Sequence, residues 1–213
     1  MTTAVLYDYW RSSASYRVRI ALNLKGIDYE RVPIDLVFGA QGMADYKALN
    51  PQGFVPMLEI DGYRLAQSLA ICNYLESTRP EPSFVPAEPA GRAHMLGLAM
   101  TVACDIHPLN NLRVLKHLTG QVGASEEAKQ AWIARWIGEG FAAMEAMAAP
   151  RAGRFLIGDG PTLADVFLVP QLYNARRFDI PLDPFPTLVR ADAEATRHPA
   201  FVAAHPDAVR GAV

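Results

Sequence analysis

Arg11-Ser-Ser-Ala-Ser15 puts paired hydroxyls, Ser12 and Ser13, beside a guanidinium where two hydrophobic periodicities meet. Ala4 to Tyr9 is a short apolar run that reads as a buried strand. Val18, Ala21 and Leu22 fall at helical spacing, so residues 11–15 form the turn between strand and helix. The first turn of a helix carries N–H groups without intrahelical partners and a partial positive charge. That setting suits a thiolate, a carboxylate or a phosphate. Plain N-capping by Ser12 or Ser13 would use the same residues, so other segments have to decide between a cap and a site.

The elements that would hold this turn alternate between strand and helix over about the first eighty residues. A helix to about Lys25 is followed by Tyr29 to Ile34, whose valine, tyrosine and isoleucine suit a strand alongside the first. Met57-Leu-Glu-Ile60 and Tyr63-Arg-Leu-Ala66 flank Asp61-Gly62, the signal of a type I′ hairpin, so these strands are antiparallel. Ser68 to Thr78 reads as a helix stopped by Arg79-Pro80. Pro80, Pro82, Pro86 and Pro89 punctuate a linker, after which helical patterns run from about Gly91 to Leu118 and from Ser125 to Ala148. Trp132, Ile133, Trp136 and Ile137 form an apolar face, and Thr162-Leu-Ala-Asp165 has the form of a capping box opening a helix to about Arg177.

Composition narrows the function classes. With 213 residues, 51% of them hydrophobic, the chain can bury a sizeable core in one or two domains. A net charge of −2 leaves no electrostatic footprint for nucleic acid or an acidic membrane. No apolar run is long enough to span a bilayer and no targeting segment is evident, so a cytoplasmic location is expected. Cys72 and Cys104, far apart and inside helical patterns, are expected to be buried, inert thiols. The five histidines are scattered without ligand spacing, and no metal is expected.

The segments Arg11 to Leu22, Asn50-Pro-Gln-Gly-Phe-Val-Pro56, Gln67-Ser-Leu-Ala-Ile71, Asp105-Ile-His-Pro-Leu-Asn-Asn111, Val169-Pro-Gln171 and Arg177-Phe178 together resemble the cytosolic glutathione transferases, and within them the zeta class, to which bacterial maleylacetoacetate isomerases belong. The likeness spans nearly the whole chain. It implies an α/β plus all-α architecture. A thioredoxin-like β-α-β-β-β-α domain over residues 1–82 would be followed by a linker at 83–90 and an all-helical substrate-binding domain over 91–213. It implies glutathione as cofactor, with Ser12 donating to the sulfur and Ser13 as second candidate donor. Val55-Pro56 would have a cis bond, turning the backbone of Val55 toward the cysteinyl peptide. Gln67-Ser68 would receive the γ-glutamyl carboxylate at a helix start. His107 and Asn111, four apart and so on one helix face, would line the glutathione site from the helical domain.

The resemblance further implies glutathione-dependent cis–trans isomerisation of maleylacetoacetate to fumarylacetoacetate in the catabolism of tyrosine and related aromatics. Thiolate addition, bond rotation and elimination return glutathione unchanged. Arg11 and Arg177 match the arginines placed around the dicarboxylate substrate, where a guanidinium fork suits a carboxylate. Arg113 is a third, weaker candidate, and Arg17 and Arg19 are expected to be structural. Ala14 stands where many zeta members carry cysteine, which argues against essential cysteine chemistry here. The sister activity on maleylpyruvate stays open; Leu112, where such enzymes carry arginine, leans toward maleylacetoacetate. A transferase or dehalogenase acting on α-halo acids is a further alternative, as is a non-enzymatic thioredoxin-like scaffold. The retention of Ser12, Gln67 and Ser68 argues against the scaffold. A homodimer is expected from the resemblance.

Overall fold

The alternating stretch Ala4–Asp8 forms strand β1 with every second residue buried, as a half-covered strand should. The computed structural model describes residues 4–211. Tyr29–Pro33 (β2) pairs parallel to β1, while Met57–Ile60 (β3) pairs antiparallel to β1 on its other side. Tyr63–Ala66 (β4) completes a four-stranded sheet in the order β2-β1-β3-β4. Asp61 and Gly62 between β3 and β4 both have positive φ, 53° and 82°, as the type I′ reading of this hairpin requires.

Helix α1 (Ser13–Leu24) connects β1 to β2, and α3 (Ser68–Thr78) follows β4. A short helix, α2 (Ala44–Leu49), stands where the sequence offers no clear period, preceded by a 3-10 turn at Ala40–Gly42. Six residues are too few to display helical periodicity. Helix α1 is buried almost all round, including Arg17 and Arg19, because it packs against both α3 and the later helix α9 (Pro199–Ala204).

The chain divides into two units. One comprises the residues up to Ser83 together with those from Arg197 onward, and the other is Phe84–Thr196. The helical domain expected over 91–213 therefore differs at its end, since 197–211 packs with the sheet; 1–3 and 212–213 lie outside the described residues. Side chains of α1 and β2 hold this returning segment. Arg19, Asn23 and Arg31 donate to the carbonyls of Ala204, Ala200 and Val209, and α10 (Pro206–Val209) ends there.

The second unit is helical. It contains α4 (Pro89–Met100), α5 (Leu112–Gly120), α6 (Glu126–Ala148), α7 (Leu163–Arg177) and α8 (Pro186–Ala195). The single helix expected from Gly91 to Leu118 is instead interrupted. It widens into a π-helical segment at Thr101–Ile106, tightens into a 3-10 turn at His107–Asn110 and breaks at Asn111. Pro108 supplies the reason, since it has no N–H for an intrahelical bond and its ring crowds the preceding turn. Ile133, Ile137, Phe141 and Met144 form the buried stripe of α6, with Trp132 and Trp136 half-covered beside it. The capping box at Thr162 is present: Asp165 accepts from the Thr162 N–H at 2.8 Å and also from the Leu156 N–H at 2.9 Å.

Candidate active site

Tyr7, Met57 and Ala66 lie in one row across β1, β3 and β4. The chain leaves that row toward Ser12 past the end of β1, enters it from Val55-Pro56 before β3, and leaves it again toward Gln67-Ser68 after β4. Strand direction therefore delivers all three segments to one end of the sheet. A hydrogen bond from Arg17 Nη1 to Ser68 Oγ, at 3.3 Å, links the helices that begin there.

Ser12 is the N-cap of α1, its hydroxyl oxygen accepting from the Ser15 N–H at 3.2 Å. The cap uses the oxygen as acceptor and leaves the hydroxyl hydrogen to be donated, so capping and a donor role coexist in one side chain. Ser13, the first helical residue, is buried, whereas Arg11, Ser12 and Ala14 are half-buried. Arg11 stacks against Trp10, 5.4 Å from its ring centre. The turn is fixed from below by Arg19, fully buried, which donates to the Trp10 carbonyl at 2.9 Å and to Asp8 at 2.7 Å. Arg31 also engages Asp8, at 3.0 Å. The expectation that Arg17 and Arg19 are structural agrees with their burial, and Arg17 additionally touches a predicted site residue.

The Val55-Pro56 peptide bond is cis. Its approach is clamped from α2 and the loop after it: the Phe54 carbonyl accepts from Tyr46 Oη at 2.6 Å and from Asn50 Nδ2 at 2.8 Å. Burial pushes the Tyr46 hydroxyl up to about 12, so it stays a neutral donor. Gly53 adopts φ +63°, and a Cβ there would come within 2.9 Å of the Gln41 carbonyl oxygen, so the turn admits only glycine at this point. Gln41 thus lies beside the turn, its amide oxygen buried without a partner among the described residues. Gln67 has a positive φ of 69° at the N-cap of α3 and is exposed, its amide donating to Gln52 at 2.8 Å. Ser68 is buried.

Four residues of this end were not singled out in the sequence. Asn50 and Gln52 lie inside the Asn50 to Pro56 segment, which offered a signal; Tyr46 and Gln41 offered none, because their contribution is a contact made across a loop.

The predicted residues of the helical unit occupy different settings. His107 opens the 3-10 turn, and Asn111 is the N-cap of α5, its side chain accepting from the Arg113 N–H at 3.0 Å. Their supposed shared helical face is corrected: Asn111 has extended backbone, φ −66° and ψ 143°, so a spacing of four does not stack them. The Leu109 carbonyl accepts from Trp132 Nε1 at 2.8 Å, anchoring the turn to α6. Arg177 ends α7, exposed and stacked 5.6 Å from the Phe178 ring centre. The Phe178 carbonyl accepts from Gln130 of α6 at 2.6 Å. Leu112 and Arg113 are exposed. Cys72 is buried, with its thiol pushed up to about 12 by desolvation. Cys104 departs from expectation by being exposed, because it falls on the outer side of the π-helical segment rather than on a regular helix. Among the described residues no cluster of His, Cys, Asp and Glu could hold a metal ion.

The donors at the sheet end can hold a peptide thiol that ends in a carboxylate. They comprise a serine hydroxyl at one helix start, a second serine at another, and a buried backbone turn between. The sequence matches the family described as glutathione S-transferase, N-terminal domain, over residues 2–77, and its C-terminal domain over residues 130–206. This chain belongs to the glutathione S-transferase family. It is 52% identical to maleylacetoacetate isomerase of Rhizobium meliloti, over 95% of this chain and 96% of that one. Among solved structures it is similar to the holo form of a bacterial zeta-class maleylpyruvate isomerase, with TM-score 0.95 and 45% identity over 98% of this chain and 100% of that one. It is also similar to a maleylacetoacetate isomerase from Methylobacterium extorquens AM1 with bound malonate and glutathione, with TM-score 0.94 and 40% identity over 98% of this chain and 99% of that one.

Proposed function

We propose that this protein is a glutathione-dependent cis–trans isomerase that converts maleylacetoacetate to fumarylacetoacetate in tyrosine and related aromatic catabolism. The observation that carries the reading is the convergence of Ser12, cis Val55-Pro56 and Gln67-Ser68 on one end of the sheet, in a chain 52% identical to a maleylacetoacetate isomerase over nearly its full length. Bound glutathione supplies a nucleophilic thiol, whose reversible addition turns a cis double bond conjugated to a carbonyl into one that can rotate and re-form as trans.

The chain's own residues prepare that chemistry. Ser12, its oxygen already engaged by the Ser15 N–H, holds a hydroxyl hydrogen toward the sulfur and favours its anionic form; the partial positive charge of α1 acts in the same direction. Ser13 is the alternative donor. Val55 presents backbone to the cysteinyl peptide, and Gln67 and Ser68 receive the γ-glutamyl carboxylate. Arg11 and Arg177 are proposed to bind the carboxylates of the substrate, in keeping with the malonate reported with the Methylobacterium enzyme. His107 and Asn111 are proposed as glutathione contacts on the resemblance. A homodimer in the cytoplasm completes the proposal.

A second reading, maleylpyruvate isomerisation, is favoured by the likeness to the zeta-class maleylpyruvate isomerase. Leu112, exposed where arginine is expected in such enzymes, weighs against it. Turnover of both substrates, measured side by side with and without catalytic glutathione, tests the proposal. Maleylacetoacetate is expected to be the faster substrate with the glutathione concentration unchanged, and Ser12→Ala is expected to lose about 10²–10³-fold in kcat. Consumption of glutathione would point to a conjugating transferase, and failure to accelerate either substrate would end the isomerase reading.

A further inference from the structure

Arg17 is 2% exposed, yet it is a cation in the first helix with its Nη1 only 3.3 Å from Ser68 Oγ, at the start of the third. A guanidinium has donors and no acceptor, so in this contact the serine oxygen can only accept. The serine hydrogen is thereby turned away from Arg17 and is left to be donated to a group lying over the start of α3. The buried charge adds to the field of that helix start, and in a poorly hydrated setting it is screened little. Both effects act on the same object, an anion bound at Ser68. We infer that Arg17 is a positioning residue for the carboxylate of the γ-glutamyl group, acting through Ser68 and setting how strongly the protein prefers the whole tripeptide to the same thiol without its γ-glutamyl end. This rests on the glutathione reading above and goes beyond it by assigning the discrimination to a residue with almost no solvent exposure.

The contact gives a use to an arginine that lies inside the packing of α1, α3 and α9. A cation there costs desolvation, and a hydrocarbon of the same length would fill the space without that cost. Arg19 on the same helix answers to Asp8, a carboxylate wholly inside the fold. Arg17 reaches a hydroxyl at the mouth of a helix, where a negative charge would arrive with the ligand.

Calorimetric titration of the full chain with glutathione and with cysteinylglycine, which keeps the thiol and the glycine carboxylate, separates this role from a merely structural one. The quantity read is the dissociation constant of cysteinylglycine divided by that of glutathione. Arg17→Gln is expected to weaken glutathione about tenfold, some 1.4 kcal/mol, and to leave cysteinylglycine nearly unchanged, so that the ratio falls about tenfold. Arg17→Lys, which keeps the charge and is the variant to rely on if the glutamine form does not fold, is expected to lower the ratio by about threefold at most and to do so less than Ser68→Ala. Equal weakening of both ligands by Arg17→Gln, or by Arg17→Lys, would overturn the assignment. A wild-type chain that bound neither thiol would overturn the glutathione reading instead, which keeps the two failures distinct.

Discussion

Replacing Arg19 by methionine would remove a guanidinium that is wholly inside the protein and makes three hydrogen bonds: to Asp8 at 2.7 Å, to the Trp10 carbonyl at 2.9 Å and to the Ala204 carbonyl at 3.0 Å. Desolvation pulls the Arg19 pKa down, and the Asp8 carboxylate pulls it back up. The pair therefore survives burial because each charge answers the other. Breaking one side of such a pair costs about 3–5 kcal/mol. The lower end applies here, because Arg31 keeps a two-pronged contact with Asp8, at 3.0 and 3.2 Å. Against a total stability of about 5–15 kcal/mol, the loss is a large fraction. Urea unfolding followed by circular dichroism should show a lower midpoint with an unchanged m value. The double variant Asp8→Asn/Arg19→Met should be more stable than the sum of the two single losses predicts, by at least about 1.5 kcal/mol. A loss below about 1 kcal/mol for Arg19→Met, or strict additivity in the double variant, would refute the view that this charge pair holds the turn before Ser12.

Thiol labelling should distinguish the two cysteines. Exposed Cys104 is expected to react with a disulfide reagent in the native protein, while Cys72, buried and pushed up to about 12, reacts only after denaturation. Two equivalents released rapidly from native protein would contradict this. Asp165 offers a pH test. Burial raises its carboxyl from 3.8 to about 6, against the pull of the Leu156 and Thr162 hydrogen bonds. Because the folded pKa lies above the unfolded one, the stabilisation is fully present below pH 3.8 and is lost as pH rises through about 6. The stability of the native chain minus that of Asp165→Asn, measured by urea titration between pH 4 and 7, should fall as pH rises. A flat or rising difference would show that the capping bonds, rather than desolvation, dominate this carboxyl.

The parts of the fold legible in the sequence are those governed by local chemistry. Asp61-Gly62 demands a hairpin because few residues besides glycine, asparagine and aspartate tolerate the left-handed backbone it uses. Ser125 and Thr162 announce the starts of their helices as caps, and Arg79-Pro80 announces the end of the helix from Ser68. All three marks stand where the structure has them, whereas Ser68 itself is the first helical residue, with Gln67 at the N-cap position making no side-chain cap bond. Pro108 signals the break between α4 and α5, yet the apolar period on either side runs through it and suggests one continuous helix. The consequence falls on His107 and Asn111: they are joined by a turn that the bond from Trp132 to Leu109 anchors to α6, rather than stacked by helical spacing.

The return of the last residues to the sheet is illegible for a different reason. Arg19, Asn23 and Arg31 select positions along 200–209 by donating to main-chain carbonyls, and every residue has one. No side-chain pattern in the later segment could announce the pairing. Arg210, 4.9 Å from the centre of the Trp10 ring, brings the same segment against the residue two before Ser12, while Arg19 ties Ala204 and Trp10 to one guanidinium. The chain's last helices are thus part of the scaffold of its first turn. Ser12 owes its position as much to carbonyls nearly two hundred residues away as to the strand that precedes it. The motif at residues 11–15 can name the chemistry, but the geometry that chemistry requires is distributed over both ends of the chain.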